Sequence, residues 1–234
     1  MSAEQTVSES LRLEQISVVH SSGVGEYEAL KDVSVRVPLG KSLFVMGHSG
    51  SGKSTLLKVA AGIQPSDAGS VRILGVDIDT ADPRSLTRVR QKNGFVFQDA
   101  ALWQNKTLFE NLALPLRHHF PSMTEQEIHD RIHTRLERVG YLDDLRLRPS
   151  QVSAGEQKII GFVRAFITDP AIVFLDEPTS FVDRRANELI FAELQRFKET
   201  GGSIISATHS TRLVSKLADM LLILDHVNVV QAGS

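Results

Sequence analysis

Gly47-His48-Ser49-Gly50-Ser51-Gly52-Lys53-Ser54 carries the spacing G-x-x-x-x-G-K-[ST] at every fixed position. In such a loop the glycines leave consecutive backbone N–H groups free to face phosphate oxygens. Lys53 adds a point charge, and Ser54 a hydroxyl suited to Mg²⁺. Upstream, Ser42–Met46 reads as a buried strand running into the loop. Downstream, residues 53–61 read as a helix closed by Gly62, so a helix N-terminus faces the phosphates. The chain is expected to bind a nucleotide.

Bulk properties narrow the classes. The 234 residues are 41% hydrophobic and 23% charged, enough for one large α/β domain or a domain with an inserted subdomain. The net charge of −2, with no basic block, argues against nucleic acid as a partner. Absence of cysteine excludes disulfides, thiolate metal sites and cysteine nucleophiles. The start, Met1-Ser-Ala-Glu-Gln-Thr-Val-Ser-Glu-Ser10, has neither the basic nor the apolar region of a secretory signal. The longest apolar runs, such as 220–224, are far shorter than the ~20 residues that span a bilayer. A cytoplasmic protein that reaches the membrane only by docking on a partner is expected.

Alternation at Leu11 and Leu13, and at Val33, Val35 and Val37, predicts N-terminal antiparallel strands joined by a Gly-rich turn around residues 21–25. Further strands are predicted at 71–74, 94–97, 171–175 and Ser203–Ala207, with a terminal hairpin over 221–230. Strands alternating with helices imply a mostly parallel sheet covered on both faces. Between residues 99 and 156 the strand pattern disappears. Thr107 with Glu110, and Thr124 with Glu127, match the capping box that opens a helix, and Ile128, Ile132, Leu136 and Val139 form one apolar stripe. This stretch, 99–156, is read as a helical subdomain inserted between a β-bearing core of residues 1–98 and 157–234. His129 and His133, one turn apart beside Asp130 and Arg131, are read as a solvated face and not as metal ligands.

Ala171-Ile-Val-Phe-Leu175 ends in Asp176-Glu177, an apolar strand delivering two carboxylates beside a phosphate loop. Asp176 is the expected metal-side acid. Glu177, pointing elsewhere, is placed to polarise an attacking water.

With Gln151-Val-Ser-Ala-Gly-Glu156 about twenty residues before that strand, the pattern resembles the ATP-binding-cassette (ABC) ATPases and their LSGGQ signature. Gln98 stands like the family's Q-loop glutamine, Ser180-Phe-Val-Asp183 like its D-loop, and His209 like its switch histidine. The resemblance covers residues 11–233 and implies the α/β P-loop NTPase fold of ABC ATPases, with an N-terminal antiparallel β subdomain and an inserted helical subdomain. It implies ATP contacts at Gly47, His48, Ser49, Gly50, Ser51, Gly52, Lys53, Ser54 and Thr55. Mg²⁺ would lie at Ser54, Gln98 and Asp176; Glu177, His209 and Gln98 would be catalytic. It further implies a head-to-tail pair in which Ser153, Ala154, Gly155 and Glu156 of one copy, with Asp183 nearby, close over ATP held by the other. Three positions depart from the pattern. Ala154 adds a Cβ where a glycine is usual, Glu156 brings a negative charge near the nucleotide, and His20 falls where an adenine-stacking tyrosine is usual, with Tyr27 as a competitor.

Phe97-Gln-Asp-Ala-Ala-Leu-Trp103, followed by Leu108-Phe-Glu-Asn-Leu-Ala-Leu-Pro-Leu-Arg-His118, is similar to the ATPase subunit of Mla/Mce-type phospholipid transporters. That likeness implies phospholipid trafficking through a membrane permease and an Mce-domain lipid-binding protein, on the cytoplasmic face of the inner membrane. A cassette driving lipoprotein release or cell-division signalling is the alternative. Leu102, Trp103, Phe109 and Leu112 are either subdomain core or a docking face, with Trp103 the best anchor.

Overall fold

The computed structural model describes residues 8–22, 25–225 and 228–233. In chain order its elements are β1 (Glu9–Ser22), β2 (Gly25–Pro38), β3 (Ser42–Met46), α1 (Lys53–Ala60), β4 (Ala68–Ile73), β5 (Val76–Asp77), α2 (Pro83–Gln91) and β6 (Asn93–Val96). Then follow α3 (Leu108–His119), α4 (Glu125–Arg138), a 3-10 turn (Pro149–Gln151), α5 (Ala154–Phe166), β7 (Ile172–Asp176), α6 (Arg184–Glu199), β8 (Ser203–Ala207), α7 (Thr211–Leu217), β9 (Met220–Asp225) and β10 (Asn228–Gly233).

The strands make two sheets. One is antiparallel, in the order β2-β1-β4-β5; the other runs β10-β9-β3-β8-β7-β6 and is parallel except at its β9–β10 edge. Every position of β7 and β8 is buried, the two serines of β8 included, because both faces of these strands are covered. Along β7, Val173 and Leu175 join Phe44, Val96 and Ile204 against the helices of residues 108–166. Ile172 and Phe174 join Val45, Ile205 and Leu57 against Leu11, Leu13 and Val33 of the antiparallel sheet. The sheet thus separates two cores, one shared with the helices and one with the β layer.

Local chemistry explains the helix starts. Thr107 and Thr124 cap α3 and α4, each with the reciprocal glutamate bond that the capping boxes predict. Ile128, Ile132, Leu136 and Val139 are buried as one stripe. Helix α2, not read in the sequence, starts at Asp82-Pro83, where the Asp82 carboxylate accepts the N–H groups of Arg84 and Ser85.

Boundaries differ from expectation in two places. The predicted strand at 71–74 begins at Ala68 and stops at Ile73, because Leu74 and Gly75 turn through positive φ. The predicted limit of the helical insert at residue 156 falls inside α5. Ser153 and Glu156 cap that helix, and Ile160, Phe162, Val163 and Phe166 carry its buried face on past the limit. The predicted turn at 21–25 and the tip of the terminal hairpin include residues 23–24 and 226–227, which lie outside the described residues.

Because Ile132 is fully buried in the core shared by the helices and the sheet, Ile132→Ala is expected to cost about 2–5 kcal/mol. Urea unfolding should stay a single transition, since no separate core supports the helices alone. Two transitions, with only one shifted, would show that the helices fold independently.

Candidate nucleotide site

Three loops leave the parallel sheet at one level. Val45 pairs with Ala207, and Ala207 with Asp176, so the phosphate loop, the segment bearing His209 and the Asp176-Glu177 pair emerge side by side. Two glycines of the loop are required by space. At Gly47 (φ 154°) a Cβ would lie 2.3 Å from the Leu224 carbonyl oxygen. At Gly52 (φ 92°), the residue preceding α1, it would lie 2.4 Å from that of Ala29.

Lys53 is buried, and its ammonium donates to the carbonyls of Gly47 and His48, both at 2.8 Å. Burial lowers its pKa, opposed by the charges of Glu177 and Asp176. Ser54 Oγ donates to Asp176 Oδ1 at 3.1 Å. Glu177 takes a left-handed backbone (φ 48°) and anchors its N–H on the Ala207 carbonyl at 2.9 Å. Its Oε1 is buried without a hydrogen-bond partner, and His209 Nε2 stands 3.7 Å away. A cavity of about 460 Å³ brings together Lys53, Ser54, Thr55, Gln98, Asp176, Glu177 and His209.

His20 and Tyr27 are directly paired across β1 and β2, with ring centres 5.6 Å apart, and both rings line the same cavity. The sequence offered them as competitors, but they form one wall. His20 Nε2 also reaches Thr55 Oγ1 at 3.4 Å.

None of Ser153–Glu156 lines that cavity, although Ala154 lines an adjoining hollow of about 540 Å³ with Ser54, Gln98, Asp176 and Phe181. Ser153 caps α5, and Glu156 Oε2 accepts from Ser153 N at 2.8 Å and from Ser153 Oγ at 2.5 Å. Glu156 therefore spends its charge on the helix start, where the macrodipole favours an anion. Ala154 is exposed at the first turn, and Gly155 is packed so that a Cβ would meet the Phe181 carbonyl oxygen at 3.0 Å. Asp183 caps α6, accepting from Ala186 N at 2.7 Å.

Sequence reasoning passed over α5's interior. Lys158, 2% exposed, donates to the carbonyls of Phe97 and Gln98, each at 2.9 Å, and of Asp176 at 3.3 Å. Burial pushes its pKa down to about 8, against the raising charges of Asp176, Glu177 and Asp99. Arg164 donates to Ala100 and Ala101 carbonyls at 2.8 Å, holding two non-glycine residues at φ 62° and 46°. Each such conformation costs about 1–2 kcal/mol. Only a weak clue was available, since Lys158 follows Glu156 and Gln157 and stands just before the apolar residues that begin at Ile159.

The chain matches the family described as ABC transporter over residues 30–180. It is 34% identical over 214 residues to the cell division ATP-binding protein FtsE of Escherichia coli (strain K12), spanning 92% of this chain and 94% of that protein. It is 31% identical over 224 residues to the methionine import ATP-binding protein MetN 1 of Acinetobacter baylyi, spanning 95% of this chain and 62% of that protein. Among solved structures, the dimeric post-hydrolysis state of the ATP-binding cassette MJ0796, bound to ADP and Pi, superposes with a TM-score of 0.88 at 28% identity, over 96% of this chain and 98% of that one. With its P-loop, carboxylate pair and two-sheet architecture in that arrangement, this chain belongs to the ABC transporter family of ATP-hydrolysing cassettes.

Proposed function

We propose that two copies of this chain pair head to tail over ATP and drive a separate membrane permease whose cargo is phospholipid. The observation that carries the catalytic part is the unpartnered, buried Glu177 Oε1 beside His209 at the phosphate loop. A carboxylate oxygen left without a donor there awaits a water.

On binding, Lys53 exchanges its two loop carbonyls for β- and γ-phosphate oxygens, and the loop N–H groups with the N-terminus of α1 take the remaining charge. Ser54 Oγ and Asp176 Oδ1 already converge as hard oxygen donors, a set that fits Mg²⁺, and Gln98 lines the same cavity. Mg²⁺ held by these residues would supply positive charge against the phosphate oxygens. Glu177 accepts a proton from water as the water oxygen attacks the γ-phosphorus, and the bridging oxygen leaves with ADP. His209 orients the water and the γ-phosphate. Ser153, Ala154, Gly155 and Glu156 from the second copy present the N-terminus of α5 to the γ-phosphate, which suits an anion. The MJ0796 cassette is a dimer in its ADP- and Pi-bound form, which supports this pairing.

The docking face is argued from Trp103. Leu102 and Leu112 are core and Phe109 packs partly against it, whereas Trp103 is 53% exposed. It borders an open cavity of about 450 Å³ with Phe95, Phe97, Leu114 and Pro115. The same hollow is lined by polar Arg90, Asn93, His119, Arg164 and Thr168, and an exposed aromatic on such an amphipathic surface close to Gln98 is suited to a permease helix. Among the described residues no helix is long and apolar enough to cross a membrane, and in this proposal the chain sits on the cytoplasmic face by docking. Phospholipid as cargo, with an Mce-domain partner, rests on the 97–118 segment. The near end-to-end match to a cell division ATP-binding protein favours a second reading, in which the cassette signals through a membrane partner without moving lipid.

Glu177→Gln should keep ATP affinity, lose hydrolysis at least 100-fold, and elute as a dimer with Mg·ATP by size-exclusion chromatography; a monomer hydrolysing at the wild-type rate would remove Glu177 from the mechanism. Because His20 and Tyr27 form one wall, removing either ring should weaken ATP binding by on the order of 1 kcal/mol, read by calorimetry. Loss in only one variant would make the other ring a bystander. Trp103→Ala should leave melting within a few degrees while cutting co-purification with membrane proteins. Recovery of an Mce-domain protein in that pull-down, with ATP-dependent lipid transfer between vesicles, supports lipid cargo; a partner set with neither supports the signalling reading.

A further inference from the structure

Lys158 is a charged side chain at a position built like core. It is buried between α5, the end of β6 and the end of β7, and its three ammonium hydrogens meet three carbonyl oxygens, of Phe97, Gln98 and Asp176. Burying an ammonium costs desolvation even when each hydrogen finds a carbonyl, so packing alone does not call for a lysine here. The contact's value therefore lies in what it aligns. On the same face of α5, Gly161 lets the Ala100 carbonyl oxygen come within 3.0 Å of where a Cβ would be, and Arg164 binds the carbonyls of Ala100 and Ala101. Residues 97–101 are thus laid along α5 from end to end, and Lys158 is the point at which this assembly is also fastened to the strand carrying Asp176.

We propose that Lys158 is a positioning residue for ATP hydrolysis, holding Gln98 and the Asp176-Glu177 pair at one fixed separation by bonding the backbone of both segments. The inference rests on the roles proposed above for Gln98, Asp176 and Glu177. Lys158 does not line the cavity that holds Lys53 and Glu177; it lines an adjoining hollow of about 540 Å³ with Ser54, Gln98 and Asp176, and its ammonium is bonded to main-chain oxygens.

The test uses the purified full chain with Lys158→Met and Lys158→Gln, measuring melting temperature, ATP affinity and kcat. Methionine fills the space without donors, and glutamine restores two of them. The expected result is a melting temperature lowered by less than ten degrees in Lys158→Met, where three carbonyls lose their donor, with ATP affinity within threefold and kcat lowered at least tenfold. Lys158→Gln should recover part of the lost kcat. Three results would overturn the proposal: kcat within twofold of wild type in Lys158→Met; equal kcat in the two variants; or a fall of more than ten degrees in melting temperature with affinity and kcat lost together in both, the mark of a plain structural strut. Glu177→Gln measured alongside separates the two layers. If it hydrolyses ATP normally, the site assignment itself fails; if it is inactive while Lys158→Met is fully active, only the role of Lys158 fails.

Discussion

The level rung Val45–Ala207–Asp176 across β3, β8 and β7 is the constraint on which the rest of the site depends. Parallel strands buried on both faces cannot slip by one residue without exchanging the two cores, because Val173 and Leu175 belong to one and Ile172 and Phe174 to the other. The register is therefore held by apolar packing far from the chemistry. Its consequence is electrostatic: Lys53, Asp176, Glu177 and His209 reach the same cavity without needing direct bonds to one another to get there.

That arrangement runs against stability in several places. Two lysines are buried, both with pKa lowered by burial, and a carboxylate oxygen is left unpaired. Glu177, Ala100 and Ala101 hold left-handed backbones without being glycine. Such features persist where surrounding structure over-determines them, and here the over-determination comes from α5 and the doubly covered sheet. Lys53 can exchange its two loop carbonyls for phosphate oxygens, while Lys158 commits its ammonium to the carbonyls of Phe97, Gln98 and Asp176.

Much of this was legible in the sequence because it depends on neighbours along the chain. The phosphate loop, the two threonine capping boxes and the Ile128–Ile132–Leu136 stripe are local patterns, and local physics decides them. What was missed depends on contacts distant in sequence. The acceptors of Lys158 lie 61, 60 and 18 residues away and are backbone oxygens, so no side-chain pattern announces them. His20 and Tyr27 looked like rivals until the β1–β2 register made them direct partners. Glu156 drew attention as a signature variant, which hid the simpler reading of Ser153-x-x-Glu156 as a capping box and so hid the start of α5. The apolar run around Trp103 could not tell core from surface, since facing is set by how α3 and the preceding loop pack.

The account's central claim is that one chain holds only half of the hydrolytic site, the other half being the α5 N-terminus of a second copy. Mixing Glu177→Gln, which retains an intact signature, with Ser153→Arg, which retains an intact phosphate loop and carboxylate pair, tests this directly. Each variant alone should be inactive, and the mixture should hydrolyse ATP, because mixed pairs contain one complete site. A mixture no more active than the average of the two separate variants would contradict the claim.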